Sequence, residues 1–168
     1  MDIRNAKVSD LKEIENLNKK YFHENRNFKE VLENKNNHFF VMEEKMGIIG
    51  FSGIQFNDWN NTAGIIDIFV LPEYRGKGYS DALIKKIKAE AKKLKVRTII
   101  AEAPSLNDAL KTYLRNGFRV CGLSRFIGLL PECRLDILEF CGQRCYLHRL
   151  SFLGMRVALK NFWAEKNH

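Results

Sequence analysis

The sequence has few of the residues that interrupt regular structure: its 168 residues include only 3 Pro and 11 Gly. With 45% hydrophobic and 29% charged residues, the composition argues against collagen-like, low-complexity and disordered chains and predicts one folded domain over residues 1–168. No run approaches the roughly 18 apolar residues of a membrane span, and residues 1–5 do not resemble a signal peptide. We therefore expect a cytoplasmic protein that has no membrane partner.

Cysteine is also scarce, and all four cysteines lie in the last third of the chain. Without a secretory signal, reduced thiols are expected rather than a disulfide framework. Cys141, Cys145 and His148 form a C-x-x-x-C-x-x-H pattern, but the second ligand pair that makes zinc signatures specific is missing. The pattern predicts small buried hydrophobic residues, and no metal is expected.

Acidic residues are outnumbered, which gives a formal net charge of +8 and a pI near 9.4. Such a chain attracts a polyanion, whether a nucleic acid, an acidic protein or a phosphate-rich cofactor. The densest basic run, at residues 85–97, contains none of the aromatic residues that often accompany basic side chains on a nucleic-acid surface. This run predicts the solvated face of a helix, and no nucleic-acid partner is expected.

The hydrophobic periodicity predicts an α/β chain with an antiparallel front and a crossover helix at residues 80–94. Helices are expected at residues 9–22, 28–33, 80–94 and 106–116, and strands at 38–42, 47–56, 63–71, 98–103 and 118–126. Further along, we expect a short helix at residues 131–140, a strand at 144–153 and an amphipathic helix at 155–164. Residues 127–168 are predicted to form a substrate wall or a homodimer contact.

The most informative segment lies between the strand at 63–71 and the helix at 80–94. Gly76 and Gly78 permit backbone conformations that turn successive N–H groups toward one point, and the start of the helix adds its positive end. A loop of this kind can hold phosphate groups. A bare G-x-G turn is also compatible with nothing more than a tight strand-to-helix connection.

Two motifs in this order resemble the GNAT superfamily of N-acetyltransferases. The acetyl-CoA loop of that family has the form [QR]-x-x-G-x-[GA] after V-x-P, and it is matched by Val70, Pro72, Arg75 and Gly78, with Ser80 in the last position. The next motif, N-x-x-A-x-x-x-Y-x-x-x-G-F, is matched by Ala109, Tyr113, Gly117 and Phe118. Its Asn position holds Leu106, and Asn107 lies one residue late.

The resemblance covers residues 1–126 and implies a central, mostly antiparallel twisted sheet flanked by helices, with residues 127–168 as an atypical C-terminal segment. It implies an N-acetyltransferase in which a primary amine of a small molecule, protein or peptide directly attacks the thioester of acetyl-CoA. The alternative is a catalytically weak acetyl-CoA-binding or regulatory module. That alternative is suggested by Ser80, Leu106 and Ile66, which depart from the family pattern.

The resemblance also assigns roles to individual residues. Phe69 and Val70 are expected to offer backbone groups to the pantetheine arm, and Asn107 is the candidate for the family's asparagine contact. Tyr113 is the candidate general acid, which would protonate the departing sulfur. The pyrophosphate is expected to bind the loop residues Arg75, Gly76, Lys77, Gly78, Tyr79 and Ser80.

Asp67 is a candidate from the residue pattern itself, because an acid in the middle of an apolar strand is costly to bury unless it is used or paired. Strict alternation predicts Asp67 on one face with Ile65 and Phe69, and the face opposite carries Ile66, Ile68 and Val70. Asp67 is therefore the candidate general base or anchor of the substrate amine, and a structural hydrogen-bonding role stays open. Glu102, near the end of the next strand, is the reserve candidate.

Overall fold

A computed structural model describes residues 2–22, 26–45, 47–104, 108–125, 135–140, 143–148 and 153–160. Within these ranges four α-helices form where apolar residues recur at helical spacing: α1 (Leu11–Phe22), α2 (Phe28–Glu33), α3 (Tyr79–Lys93) and α4 (Asp108–Arg115). Short 3-10 turns precede α1 at Val8–Asp10 and α3 at Pro72–Tyr74. The predicted helices at residues 9–22, 28–33 and 80–94 are thereby confirmed to within two residues.

Nine strands are described, and seven of them form one sheet in the order β1-β2-β3-β4-β5-β9-β6. The sheet strands are β1 (Asp2–Asn5), β2 (Asn37–Glu44), β3 (Gly47–Asn57), β4 (Thr62–Val70), β5 (Thr98–Pro104), β6 (Arg119–Arg125) and β9 (Leu153–Lys160). All pairings in this sheet are antiparallel except that of β4 with β5. The mostly antiparallel sheet flanked by helices is the predicted fold class, whereas β1 was not predicted.

The C-terminal segment differs from the sequence prediction. The helix expected at residues 131–140 is wrong, because β7 (Leu135–Phe140) pairs with β8 (Gln143–His148) as a separate hairpin. The single strand expected at 144–153 is divided between β8 and the start of β9. The helix expected at 155–164 is also wrong, since β9 lies between β5 and β6. Apolar spacing compatible with a helix is overridden here because an inserted strand satisfies the backbone groups along both neighbouring edges.

The core lies on both faces of the sheet. On one face, α3 and α4 pack against β4 and β5 through a cluster that includes Ile84, Ile87 and Ile99. On the other face, α1 and α2 pack against β2, β3 and β4 through Ile14, Phe28 and Phe51. Strand β4 is therefore covered on both sides, and each side of it faces a different pair of helices.

The alternation predicted for β4 is wrong because the strand contains a bulge. Ser52 of β3 pairs with Ile68, but Ile54, two residues further along, pairs with Ile65, so β4 has one extra residue between them. An extra residue reverses the facing of everything beyond it. As a result Ile65 and Ile68 pack on the side of α3 and α4, while Ile66 packs on the side of α1 and α2.

Candidate active site

The candidate site is the cleft between β4 and β5. The two strands are paired only at Thr62 with Thr98, Ala63 with Ile99 and Gly64 with Ile100. Within these described strands the pairing stops there, although β4 continues to Val70 and β5 to Pro104. Backbone groups of β4 that face away from β3 are therefore directed toward this cleft. Phe69 and Val70, the predicted pantetheine contacts, lie in the part of β4 that is paired with β3 but not with β5.

A cavity of about 400 Å³ opens at the closed end of the cleft. Its volume falls in the range of small-molecule sites. The walls are made by β4 and β5 together with the turn between β3 and β4, through Asn57, Asn60, Thr62, Gly64, Ile65, Ile66, Ile100 and Glu102. Glu102 is thus brought to the cavity wall, and the strand register places it opposite Arg156 of β9.

The loop between β4 and α3 has the backbone geometry that its glycines predict. Gly76 has φ of 74° and Gly78 has φ of 82°, a region that side-chain-bearing residues rarely adopt. A Cβ built at either position would meet nothing within 4 Å, so the loop is open to solvent. Gly78 is also the N-cap of α3, which has 15 residues. The loop therefore offers amide N–H groups and a positive helix end to an anion.

The side chains of this loop make contacts that stiffen it. Arg75 donates through Nε to the carbonyl oxygen of Val70 at 3.0 Å, and Lys77 donates through Nζ to the carbonyl oxygen of Glu73 at 3.2 Å. The Tyr79 hydroxyl donates to Glu44 Oε1 at 2.9 Å, and that hydrogen bond raises the pKa of the phenol. What these residues and Ser80 present to a ligand is chiefly their backbone, with the two basic groups close by.

Tyr113, the predicted general acid, lies on α4 and is 2% exposed. Its ring packs against Phe118 with centroids 5.3 Å apart. Burial, and after it the negative charge of Asp67, raises the pKa of the phenol above its ordinary value of 10.0. The Tyr113 hydroxyl therefore carries its proton at neutral pH. The smaller of the two causes, the charge of Asp67, comes from the other candidate catalytic residue.

Helix α4, which carries Tyr113, is fastened to the first turn of α3 by the residues at its C-terminal end. Arg115 donates to Asp81 Oδ1 at 2.9 Å, and the Asn116 amide donates to the same oxygen at 2.6 Å. Lys88 also donates to the carbonyl oxygen of Asn116. Asn107 lies outside the described residues, as does the predicted cap at Ser105.

Asp67 lies in the β4 bulge and is paired with a residue that the sequence reasoning missed. The Arg26 guanidinium, which precedes α2, donates to Asp67 Oδ2. Ser52, fully buried in β3, donates its hydroxyl to the Asp67 carbonyl oxygen and so anchors the bulge. A lone hydroxyl in the apolar strand β3 was a signal for the second contact. Nothing in the local sequence signalled Arg26, because 41 residues separate it from Asp67.

The described parts of the chain also bear on metal binding and on membrane crossing. There, no group of three or more His, Cys, Asp or Glu side chains is close enough to hold a metal ion. Cys141 lies outside those parts, so the C-x-x-x-C-x-x-H pattern stays a sequence observation. Among the helices that are described, none has the length and apolar character needed to cross a membrane.

A strand that leaves its parallel neighbour is followed here by an open glycine loop at a helix N-terminus, an arrangement that can hold an anion. In agreement with this, residues 8–118 match the Acetyltransferase (GNAT) family. Because the match spans well over half of the chain, the protein belongs to this family. No curated protein sequence matches the chain significantly.

Solved structures show the same fold across almost the whole chain. The ribosomal-protein-S18-alanine N-acetyltransferase from Escherichia coli is 18% identical and superposes with a TM-score of 0.72 over 99% of this chain and 97% of its own. A variant of the spermidine N-acetyltransferase from Vibrio cholerae is 19% identical, with a TM-score of 0.69 over 99% of this chain and 100% of its own. An N-acetyltransferase from Staphylococcus aureus Mu50 is 21% identical, with a TM-score of 0.68 over 95% and 97%.

Proposed function

We propose that the protein is an N-acetyltransferase that transfers the acetyl group of acetyl-CoA to a primary amine. The observation that carries this proposal is the union of two features on one strand: the open glycine loop after β4 and the cavity beside β4 that contains Glu102. The structural relatives support it, since their names include enzymes that act on spermidine and on a ribosomal-protein alanine.

The glycine loop fits the pyrophosphate of acetyl-CoA. Both glycines have positive φ and open space around the missing Cβ, so an anion can approach the amide N–H groups closely. The N–H groups of the loop, which ends at Ser80, lie in a region of positive potential. Arg75, Lys77 and the N-terminus of α3 supply this potential. The backbone of Phe69 and Val70 would bind the pantetheine arm where β4 has lost its β5 partner.

In the proposed reaction the acceptor amine attacks the thioester carbon directly, the carbon–sulfur bond breaks, and the CoA sulfur leaves with a proton. A lysine-type amine of pKa about 10.4 is neutral in only about one molecule in a few thousand at pH 7, so removal of its proton matters. Glu102 is the carboxylate that lines the cavity, and we assign it to accept this proton. Tyr113 would donate the proton that the sulfur takes.

Asp67 receives a positioning role in this scheme. The Asp67 carboxylate is ion-paired with the Arg26 guanidinium, and this pair fixes where the carboxylate lies. The negative charge of Asp67 also contributes to the raised pKa of the Tyr113 phenol and so helps to keep it protonated. The assignment of Asp67 as general base remains the competing prediction, and Asp67→Asn distinguishes the two.

The test is release of CoA thiol from acetyl-CoA in the presence of a mixed panel of primary amines. The wild-type protein should release thiol only when an amine is present, and Tyr113→Phe should slow the release strongly. If wild type binds acetyl-CoA but no amine increases thiol release, the chain is a regulatory module on this fold and the proposed enzyme activity is wrong.

A further inference from the structure

The turn between β3 and β4, residues 58–61, carries none of the residues to which the proposed function assigns a role. It carries Trp59, whose side chain is 83% exposed. This is the largest exposed fraction among the large hydrophobic side chains that the structure describes, ahead of Val8 at 70% and Leu114 at 44%. We call residues 58–61 the asparagine turn. Exposed indoles are unfavourable in water and are enriched where a protein meets a ligand.

The asparagine turn is internally braced. Asn60 Oδ1 accepts a hydrogen bond from the Thr62 amide at 3.1 Å and another from the Thr62 hydroxyl at 2.7 Å. Asn61 has φ of 53°, and its carbonyl oxygen accepts from the Arg97 amide at 2.9 Å. Because hydrogen bonds fix the backbone at both of these residues, Trp59 lies on a preorganised turn. Ligand binding would therefore cost little conformational entropy in the turn.

The same turn forms one wall of the active-site cavity. Asn57 and Asn60 line the cavity, and Trp59 lies between them in the chain. From this wall the cavity runs along β4 to Ile66, beside the bulge that holds Asp67. A molecule bound at the asparagine turn is therefore on a continuous path to the proposed acetyl-transfer position.

The chemistry of the cavity favours a positively charged ligand. Its lining residues, all in the part of the chain that the structure describes, include the amides of Asn57 and Asn60 and one carboxylate, Glu102, whose register partner on β9 is Arg156. In the asparagine turn a second acid, Asp58, precedes Trp59 in the chain. Indole faces, amide oxygens and carboxylates all favour ammonium groups.

We propose that the asparagine turn is a subsite for a second cation, so that the acceptor is a small diamine or polyamine. One ammonium group binds at Trp59 and the adjoining amide oxygens, while the other end of the same molecule reaches Glu102 as the amine to be acetylated. This inference rests on the proposed function, and it adds the acceptor class and the residues that select it. A monoamine of equal length makes only the contact at Glu102.

The binding test uses Trp59 as its own reporter. The chain has two tryptophans, so Trp163→Phe leaves Trp59 as the only indole. Titration of this variant with α,ω-diamines of four to eight carbons should change the Trp59 emission in a saturable way. Linear monoamines of the same carbon number, and N-acetyltryptophanamide in place of protein, are the controls. If the variant does not fold, the difference in emission between wild type and Trp59→Phe gives the same readout.

The kinetic test compares matched acceptors in the same protein preparation. Trp59→Ala should raise the KM for diamines about 3- to 30-fold, the range expected for loss of a cation–π contact, and leave kcat and the KM for monoamines unchanged. Val8→Ala removes an exposed apolar side chain from the 3-10 turn before α1 and should change neither. Trp59→Phe should restore most of the diamine preference because an aromatic face remains.

The outcomes separate this inference from the proposed function. Absence of thiol release with every amine would overturn the proposed function. Normal thiol release in which diamines and monoamines have equal KM values, or in which Trp59→Ala behaves as wild type, would overturn the second-cation subsite alone. Preference for an N-terminal peptide over every diamine would also overturn it and would assign the cavity to a peptide acceptor.

Discussion

The two ends of β4 carry two different kinds of turn. After its C-terminal end lies the glycine loop, with positive φ at Gly76 and Gly78 and open space around both. Before its N-terminal end lies the asparagine turn, with positive φ at Asn61 and side-chain hydrogen bonds that hold Thr62. The glycine loop presents backbone N–H groups to an anion, whereas the asparagine turn presents an indole and amide oxygens. One strand thus connects the proposed cosubstrate site with the proposed subsite for a cationic acceptor.

The comparison explains why one end was predictable and the other was not. A phosphate-binding loop depends on backbone freedom, so its requirement is written locally as glycines at fixed spacing. An acceptor site depends on side chains from separate segments, here the asparagine turn and β5, which only the folded chain brings together.

The largest expected effect comes from the reaction centre between the two ends. Glu102→Gln should lower kcat/KM at pH 7 by about 10²- to 10⁴-fold, the usual contribution of a general base. The loss should shrink as the pH approaches the pKa of the acceptor amine, because the amine then loses its proton without help. Asp67→Asn should show a smaller loss with no such recovery. The opposite pattern would return the base role to Asp67.

At the glycine-loop end, Gly78→Glu should weaken acetyl-CoA binding by about 100-fold or more. The substitution forces a side chain into positive φ and sets a negative charge where the pyrophosphate is proposed to bind. A single hydrogen bond to a charged group contributes about 1.5–3 kcal/mol, so the loss of one or more of them is enough for this effect. Gly78→Ala separates strain from charge and should cost less. Calorimetric titration measures both variants, and an unchanged affinity for Gly78→Glu would mean that acetyl-CoA binds elsewhere.

Tyr113 tests the leaving-group step of the proposed reaction. Tyr113→Phe should lower kcat by about 10- to 100-fold with little change in acetyl-CoA affinity, because general acids act in the transition state. Because the pKa of the Tyr113 phenol is raised above its ordinary value of 10.0, Tyr113 stays protonated up to about pH 10. The pH–rate profile of wild type should therefore show no decline from Tyr113 below about pH 10.

The raised pKa of Tyr113 also has a consequence for stability. The folded pKa lies above the unfolded value, so the folded state holds the proton more tightly. This contribution is complete below pH 10 and is lost as the pH rises from the unfolded toward the folded pKa. Wild type should thus lose stability above about pH 10, and Tyr113→Phe should lose less over the same interval in urea denaturation.

Ser52→Ala probes the bulge that separates the two ends. The buried hydroxyl satisfies the Asp67 carbonyl, and its removal leaves that group without this donor at a cost of about 1–3 kcal/mol in the free energy of unfolding. Ser52→Thr keeps the hydroxyl and serves as the matched control. If Ser52→Ala has wild-type stability in urea denaturation, the hydroxyl does not hold the bulge.

The smallest effect is expected at the asparagine turn. Asn60→Ala removes two hydrogen bonds to Thr62 and should lower the free energy of unfolding by about 1 kcal/mol. The KM for diamines should rise several-fold, since Trp59 is then displayed from a looser turn, while acetyl-CoA affinity stays unchanged. A change in acetyl-CoA affinity instead would show that the two ends of β4 do not act independently.

Sequence periodicity predicted the helices α1 to α4 and the strands β2 to β6 because each has its own apolar pattern. It failed for β9, whose strand conformation is set by the two edges that it joins rather than by its own residues. It also failed for the facing of Ile66 and Ile68, since a one-residue bulge is not visible in an apolar run. The Arg26–Asp67 pair and the cavity wall could not be predicted from the sequence, because each joins residues that are distant in the chain.

The most direct test of the account is calorimetric titration of the wild-type protein with acetyl-CoA, alongside CoA and ATP, and with Gly78→Glu as the matched variant. The account predicts saturable binding of acetyl-CoA and CoA, much weaker binding of ATP, and loss of binding in the variant. Absence of acetyl-CoA binding to the folded wild-type protein would contradict it, because the glycine loop would then have no cosubstrate to hold.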